Sequence, residues 1–484
     1  MRSSSLAIVV AIFFAEVAIT FETAMIYGAM PTLIRSFGDP LKAGWLVTLP
    51  MLVAAASYAI VGRLGDIRGR KGVLKALLVA STVGSVMSAV SSSYEMVLAG
   101  RALQGFASAI TPLAIGILRE SLPTNRVPLA VGLMASASGV GVTLGLVLGG
   151  AIIDNFDWHW LFAASAVLLG LSIVAVGWVV PKDEGTPPRH PIDWVEGLLP
   201  APGIAALLLG ISWSKEYGWT DHRVIGLVVL GVAIMAYWVR RSLRSPEPFI
   251  DVRLLATRDV AVCYGVAALI AAGTTHIIYV FAAYIQSPAW TMVGLGLTAT
   301  MAGVAKLPSN ILSYFAGPLS GWLTLSRGNR APLLIGGALG AVGWALAMLL
   351  PNSLIQVILL LCVISVATTL MFAAIPNIIV TAVPHDRTSE AIGTMSVARG
   401  IFTAIGAQII ALILASSTAR APMGGGAAFP TEVAYRTTMG WIAALTLAAG
   451  LLSLLLRNRP AELHAKTDEV LAAEADSIVA SETG

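Results

Sequence analysis

Charge is what this sequence has least of. Only 12% of its 484 residues are Asp, Glu, Lys or Arg, while 57% are hydrophobic, and the mean hydropathy is +0.83. A water-soluble core needs neither figure, whereas long apolar segments produce both directly. Cysteine is almost absent too: Cys263 and Cys362 both lie inside apolar runs, which excludes a disulfide framework and leaves buried thiols as the expectation. No Gly-x4-Gly-Lys-Ser/Thr phosphate loop occurs, so ATP hydrolysis by this chain is not expected, and Gly139, Gly141 and Gly145 have neither the spacing nor the strand context of a dinucleotide site. No Cys/His cluster has metal-ligand spacing, and no cofactor or enzyme signature is present.

What the chain has instead is apolar length. Runs of about 20 apolar residues span the hydrocarbon as helices, and fourteen such runs are centred near residues 17, 53, 82, 106, 141, 170, 204, 232, 272, 305, 341, 367, 403 and 447. Only helices or closed barrels satisfy their backbone in lipid, and runs of this length are helical. The expectation is therefore an all-α integral membrane protein with 14 transmembrane helices. The first run follows Arg2 and continues past Glu16 and Glu22 to Pro31 without a persuasive small-residue cleavage site, so it reads as an uncleaved helix. If the N-terminus is cytoplasmic, the inner loops hold 21 Lys and Arg residues against six in the outer loops, which predicts both ends inside. The pI of 9.1 is then a positive-inside signature, and nucleic acid need not be invoked.

An internal repeat organises the runs. The stretch Gly62-Arg63-Leu64-Gly65-Asp66-Ile67-Arg68-Gly69-Arg70-Lys71 returns 259 residues later as Gly321 to Arg330, and Pro123-Thr124-Asn125-Arg126 returns as Pro384-His385-Asp386-Arg387. Two motifs at nearly one offset imply two six-helix bundles, 1–180 and 260–456, with an inserted helix pair in 181–259 and a polar tail in 457–484.

These same stretches resemble a known family. Gly62 to Lys71 looks like the cytoplasmic loop signature of the major facilitator superfamily, and Arg101-Ala102-Leu103-Gln104-Gly105 resembles its fourth-helix motif. Glu22 to Pro31, Trp158-His159-Trp160 and the inserted pair are similar to the fourteen-helix drug/proton antiporter branch, with Glu22 where Asp is usual and His159 where Arg is usual. Gly141, Gly145, Gly149 and Gly150 fit that branch's helix-five glycine motif, but Leu146 replaces the expected proline, so the kink is missing and antiport by analogy is weakened. The resemblance implies a secondary transporter whose Gly62, Asp66, Arg68, Gly69 and Arg70 form a cytoplasmic gate. Asp66 would meet a helix N-terminus or Arg119 when that side closes. Leu325 holds the corresponding place in the second copy, so Asp66→Asn is expected to impair cycling while Leu325→Asn does little; equal effects on flux would refute the asymmetry.

The intramembrane charges are the candidate site: Glu16, Glu22, Arg101, Lys306 and Arg399. Glu22 lies about 13 Å and Arg101 about 10 Å below the same membrane boundary, so the two are expected to pair, with Glu22 the proton-titrating group. Glu16 lies about 9 Å deeper than Glu22 and about 120° round the helix, so it is not expected to share Glu22's environment; it falls on a stripe with Thr20, Thr23 and Tyr27 and reads either as a cavity carboxylate or as a protein-packed one. Lys306 reads either as a pocket residue or as a snorkelling one. Arg399 has a backbone carbonyl or a substrate carboxylate as alternative partners, and His276, the mid-helix histidine, is either hydrogen-bonded and neutral or a proton carrier. The function expected is proton-coupled export of small amphipathic compounds by a single chain in the cell membrane. Uptake or facilitated transport of a metabolite and a non-transporting sensor are the alternatives.

Overall fold

The computed structural model describes residues 5–122, 127–181, 194–245, 253, 257–291, 293–383, 388–420 and 428–457. The Pro123 and Pro384 motifs, most of the segment leading into the inserted pair, the Pro246 to Asp251 segment and nearly all of the polar tail fall outside these residues, as do the side chains of Asp66 and Arg119. The first bundle comprises α1 (Ser5–Phe37), α2 (Pro40–Arg68), α3 (Arg70–Val90), α4 (Tyr94–Ala107), α5 (Thr111–Ser121), α6 (Val127–Asn155) and α7 (His159–Val179). A short α8 (Trp194–Leu198) precedes the inserted pair, α9 (Pro200–Tyr217) and α10 (His222–Arg244). The second bundle holds α11 (Arg258–Ala272), α12 (Ile277–Ile285), α13 (Ala299–Arg327), α14 (Arg330–Ala347), α15 (Leu354–Ala382), α16 (Thr388–Ser416) and α17 (Glu432–Leu452). A two-residue antiparallel pair, Thr418–Ala419 with Phe429–Pro430, lies between α16 and α17.

Thirteen spans among the described residues are both long and apolar enough to cross a membrane, against the fourteen expected. The difference is α13. Its 29 residues are of span length, but Lys306, Ser309, Asn310 and Ser313 dilute its apolar character. Those groups are bonded within the protein: Asn310 donates to Thr143 Oγ1 on α6 at 3.1 Å, and Lys306 reaches Ser365 on α15. A helix whose polar side chains face other helices can satisfy lipid with its remaining face alone.

Two expected spans are broken inside the membrane. The run centred near 106 becomes α4 and α5, separated by a 3₁₀ turn at Ser108–Ile110 with Pro112 at the start of α5. The run centred near 272 becomes α11 and α12, separated by Gly273 and a 3₁₀ turn at Thr274–His276. Gly406 of α16 lies so close to that break that an added Cβ would sit 2.1 Å from the Ala272 carbonyl oxygen.

The repeated charged turn is tighter than its sequence implied. Residues Gly62 to Arg68 are the end of α2, and the connection to α3 is Gly69 alone, at φ +89°. Its counterpart Gly328 joins α13 to α14 at φ +87°, so both copies use a glycine where other residues would be strained. Beyond Gly69, Arg70 pairs with Glu120 at 2.6 Å and Lys71 donates to the Gly177 carbonyl at 2.9 Å, placing a cation at the C-terminal end of α7.

Membrane burial orients α3 with serines inward. Ser81, Ser85 and Ser88 are fully buried while Val79, Val83, Val86 and Val90 face outward. Lipid removes the usual drive to hide valine, so small and polar residues occupy the helix interface. Gly84 and Gly100 let α3 and α4 touch at backbone distance. On α6, an uninterrupted helix as Leu146 implies, Gly141, Gly145 and Gly149 face α1, whereas Gly150 faces the start of α13. The pair α9 and α10 stands outside the bundles and touches them through α9, where Trp45 of α2 donates to Ser212 at 3.2 Å, and through Trp238 of α10, buried against Val397 of α16.

Candidate functional site

A cavity of about 380 Å³ lies between the bundles. From the first bundle it is lined by Glu16, Thr20, Glu22, Thr23, Tyr27, Arg101 and Gln104, and from the second by Thr275, Phe372, Ser396, Arg399 and Thr403. Apart from Ser108, its remaining lining, including Ile19, Val47, Met51, Val142 and Ile278, is apolar. Four of the six expected site residues line it: Glu16, Glu22, Arg101 and Arg399.

Glu22 and Arg101 both line the cavity but form no direct hydrogen bond or ion pair among the described residues. Both Glu22 oxygens accept from hydroxyls: Ser81 at 2.7 Å on one, and Ser85 at 2.6 Å and Ser165 at 3.0 Å on the other. Arg101 donates instead to the Leu46 carbonyl at 2.9 Å and to Gln104 Oε1. Gln104 closes the gap, its Nε2 donating to Ser85 Oγ at 2.9 Å. The expected ion pair is thus a chain, Arg101 to Gln104 to Ser85 to Glu22. The reason is room: the serine stripe of α3 and Ser165 of α7 occupy the carboxylate before a guanidinium can reach it. All of these groups are buried.

Glu16 and Glu22 line one cavity, which corrects the expectation of separate environments, although their partners differ. Glu16 Oε1 accepts from Ser138 of α6 at 2.7 Å, not from α3 or α7. Thr20 and Thr23 bond back to carbonyls of their own helix, to Glu16 at 2.7 Å and to Ile19 at 3.0 Å, which leaves their methyls and lone pairs to the cavity.

Lys306 follows neither of its expectations. It is buried rather than snorkelling and is not among the cavity's lining residues; its ammonium donates to Ser309 at 2.8 Å and to Ser365 of α15. Lys306→Met is therefore expected to change transport by no more than about twofold while leaving or raising thermal stability, because replacing a buried ion by an apolar isostere is often neutral or favourable. A loss of flux beyond about tenfold at unchanged stability would return Lys306 to the site. His276 is buried in the turn between α11 and α12; neither ring nitrogen reaches good hydrogen-bond geometry among the described residues, and the main-chain groups of Ala271 and Thr403 are the polar groups beside the ring. Among the described residues Arg399 has no backbone carbonyl partner. Its guanidinium is exposed toward the cavity and lies 5.8 Å from the centre of the Phe372 ring.

The bundles are also bonded to each other at the end that carries the α1–α2 connection. Asp154 of α6 accepts from the backbone N–H of Ala299 at 3.0 Å and of Thr300 at 2.8 Å, capping the N-terminus of α13. Gln286 of the second bundle donates to the Gly28 carbonyl of α1 at 2.9 Å, and Thr48 of α2 donates to Gln408 of α16 at 3.1 Å.

A polar cavity enclosed by two helix bundles with an inserted helix pair has counterparts among known proteins. The sequence profile described as Major Facilitator Superfamily matches residues 12–310, more than half of the chain. The chain belongs to this superfamily. It is 28% identical over 337 residues to a "Multidrug resistance protein B homolog" of Mycobacterium tuberculosis (strain ATCC 25618 / H37Rv), covering 68% of this chain and 60% of that one. It is 26% identical over 355 residues to the "Acurin A biosynthesis cluster MFS-type transporter" of Aspergillus aculeatus (strain ATCC 16872 / CBS 172.66 / WB 5094), covering 72% and 63%. The chain spans 47% to 63% of the length of the curated relatives it matches first. The structure superposes on a POT family transporter crystallised with a thioalcohol-conjugated peptide with a TM-score of 0.67 at 14% identity, over 92% of this chain and 95% of that one, a likeness of fold.

Residues that the sequence reading passed over complete the site. Gln104 lies inside the Arg101 to Gly105 motif, and Ser81 and Ser85 are four residues apart on one face of α3, a spacing that marks them as neighbours. Ser165 had no such signal.

Proposed function

We propose that this transporter exports small amphipathic compounds in exchange for protons, by alternating access of the central cavity. The observation that carries the reading is Glu22, a buried carboxylate in the cavity wall whose two oxygens accept from three serine hydroxyls and, among the described residues, from no cation. Hydroxyls both donate and accept, so Ser81, Ser85 and Ser165 can turn their hydrogens toward an ionised carboxylate or accept from a protonated one without moving heavy atoms. Glu22 can therefore take up and release a proton with its surroundings in place. Each exchange is felt at Gln104 and Arg101 through Ser85, and Arg101 is tied in turn to the α2 backbone at Leu46. That path links proton occupancy to α2, a helix packed along α16 of the other bundle.

In this scheme the bundles 1–180 and 260–456 rock against each other, the Asp154 and Gln286 contacts close the outer end, and both chain termini lie inside the cell. The printed names of several relatives refer to efflux or multidrug resistance, in keeping with export. The test is flux of candidate solutes in proteoliposomes under an imposed pH gradient. Movement of solute against its own gradient, ended by a protonophore, is the expected result; flux indifferent to the pH gradient would overturn proton coupling. A second reading, facilitated uptake of a metabolite, is favoured by one observation, the unbroken α6 at Leu146.

A further inference from the structure

The cavity's charges are not equally committed. Arg101 is held by the Leu46 carbonyl and Gln104, Glu22 by three serines, and Glu16 by Ser138. Arg399 differs: none of its guanidinium N–H groups has a hydrogen-bond or ion-pair partner among the described residues, and its contact is with the face of the Phe372 ring. Stacking occupies the flat face of a guanidinium and leaves its edge, with N–H donors in a fork, free to meet a planar anion. The surrounding walls, Met51, Ile278 and Phe372 among them, are apolar.

Resting on the reading of this cavity as the transport site, we infer that Arg399 anchors the anionic group of the substrate, which is an amphipathic organic anion carrying a carboxylate or sulfonate on an apolar or aromatic body. A cavity of about 380 Å³ is near the lower end of the size that takes drug-sized ligands. The anion lies on the second bundle, opposite the proton-binding carboxylate on the first, so one substrate molecule bridges both. Arg399 forms bidentate bonds to the anion while Phe372 holds the adjoining apolar carbon; a cationic group placed here meets the like charge of the guanidinium.

The test is equilibrium binding, independent of flux, with three fluorescent probes that share one aromatic body: dansylglycine, neutral dansylamide and the amine dansylcadaverine, titrated onto the purified full chain in nanodiscs. Dansylglycine is expected to bind at least about tenfold more tightly than the other two. Arg399→Gln should erase that preference, Arg399→Lys should keep part of it, and both variants should melt with the parent because the side chain is exposed. Equal binding of the three probes, preference for the amine, no binding of dansylglycine below about 1 mM, or a preference that survives Arg399→Gln would each overturn the inference. Binding that behaves as expected alongside flux that ignores the pH gradient would sink proton coupling and leave the anion site standing.

Discussion

Glu22→Gln is expected to lower solute flux driven by a pH gradient at least about 100-fold, a loss of some 2.7 kcal/mol of coupling, while exchange of solute at equal pH on both sides persists. The amide is nearly isosteric with the carboxylate. Its Oε1 can accept from the serines on one side, and its Nε2 can donate to a hydroxyl that turns to receive it, so the buried cluster of Ser81, Ser85 and Ser165 stays satisfied. What the amide cannot do is titrate. Stability should therefore change little, and substrate binding should remain, because the anchor inferred for the substrate lies on α16. The measurement is paired: uptake into proteoliposomes with and without a pH step, beside equal-pH counterflow. Undiminished uptake under the pH step would remove Glu22 from the mechanism, and loss of counterflow as well would reduce it to a structural group.

The second large effect is conformational. An added Cβ at Gly150 would sit 2.6 Å from the Ala299 carbonyl carbon and oxygen and from the Thr300 nitrogen. All three are backbone atoms at the capped start of α13, so no side chain can swing aside. Gly150→Val is expected to force α6 away from α13 at the α1–α2 end and to break both Asp154 bonds. Overpacking costs about 1–3 kcal/mol, and 1.4 kcal/mol is a tenfold shift in population, enough to move a transporter toward the state open at that end. The readout is labelling of Val47→Cys, a buried cavity position on α2, in a chain with Cys263 and Cys362 replaced. An impermeant maleimide applied from the α1–α2 side should react at least about tenfold faster in the Gly150→Val background. Unchanged labelling with a normal fold would show that the seam is not a closing contact.

The sequence carried the fold far because its two strongest signals are physical necessities. Apolar length is imposed by the bilayer, and Gly69 and Gly328, at equal positions in the repeat, are imposed by connections of one and two residues that take a positive φ. Depth arithmetic likewise brought Glu22 and Arg101 to one wall of the cavity. It was blind to what lies between them, because serine is common in membrane helices and only burial shows which serines converge. The breaks at Ser108 and Gly273 were hidden for a related reason: hydropathy averages over a turn and does not register three residues that leave the α-helical path. Lys306 was misplaced because depth says nothing about which face of α13 a residue occupies. The unpartnered state of Arg399 is a property of its neighbours on α15 and α16, which a linear reading does not rank.

The Asp154 contact has a genetic consequence. Its acceptor is a side chain, but its two close donors are main-chain N–H groups, which every amino acid except proline supplies, with the hydroxyls of Thr298 and Thr300 adding to them. Random substitution at Ala299 or Thr300 therefore leaves the two close donors in place, and the vulnerable codons are that for Asp154 itself and any change to proline at residue 299 or 300. A selection for variants that leak at the α1–α2 end should yield an uneven harvest, rich in alleles on α6 and poor in alleles at the start of α13.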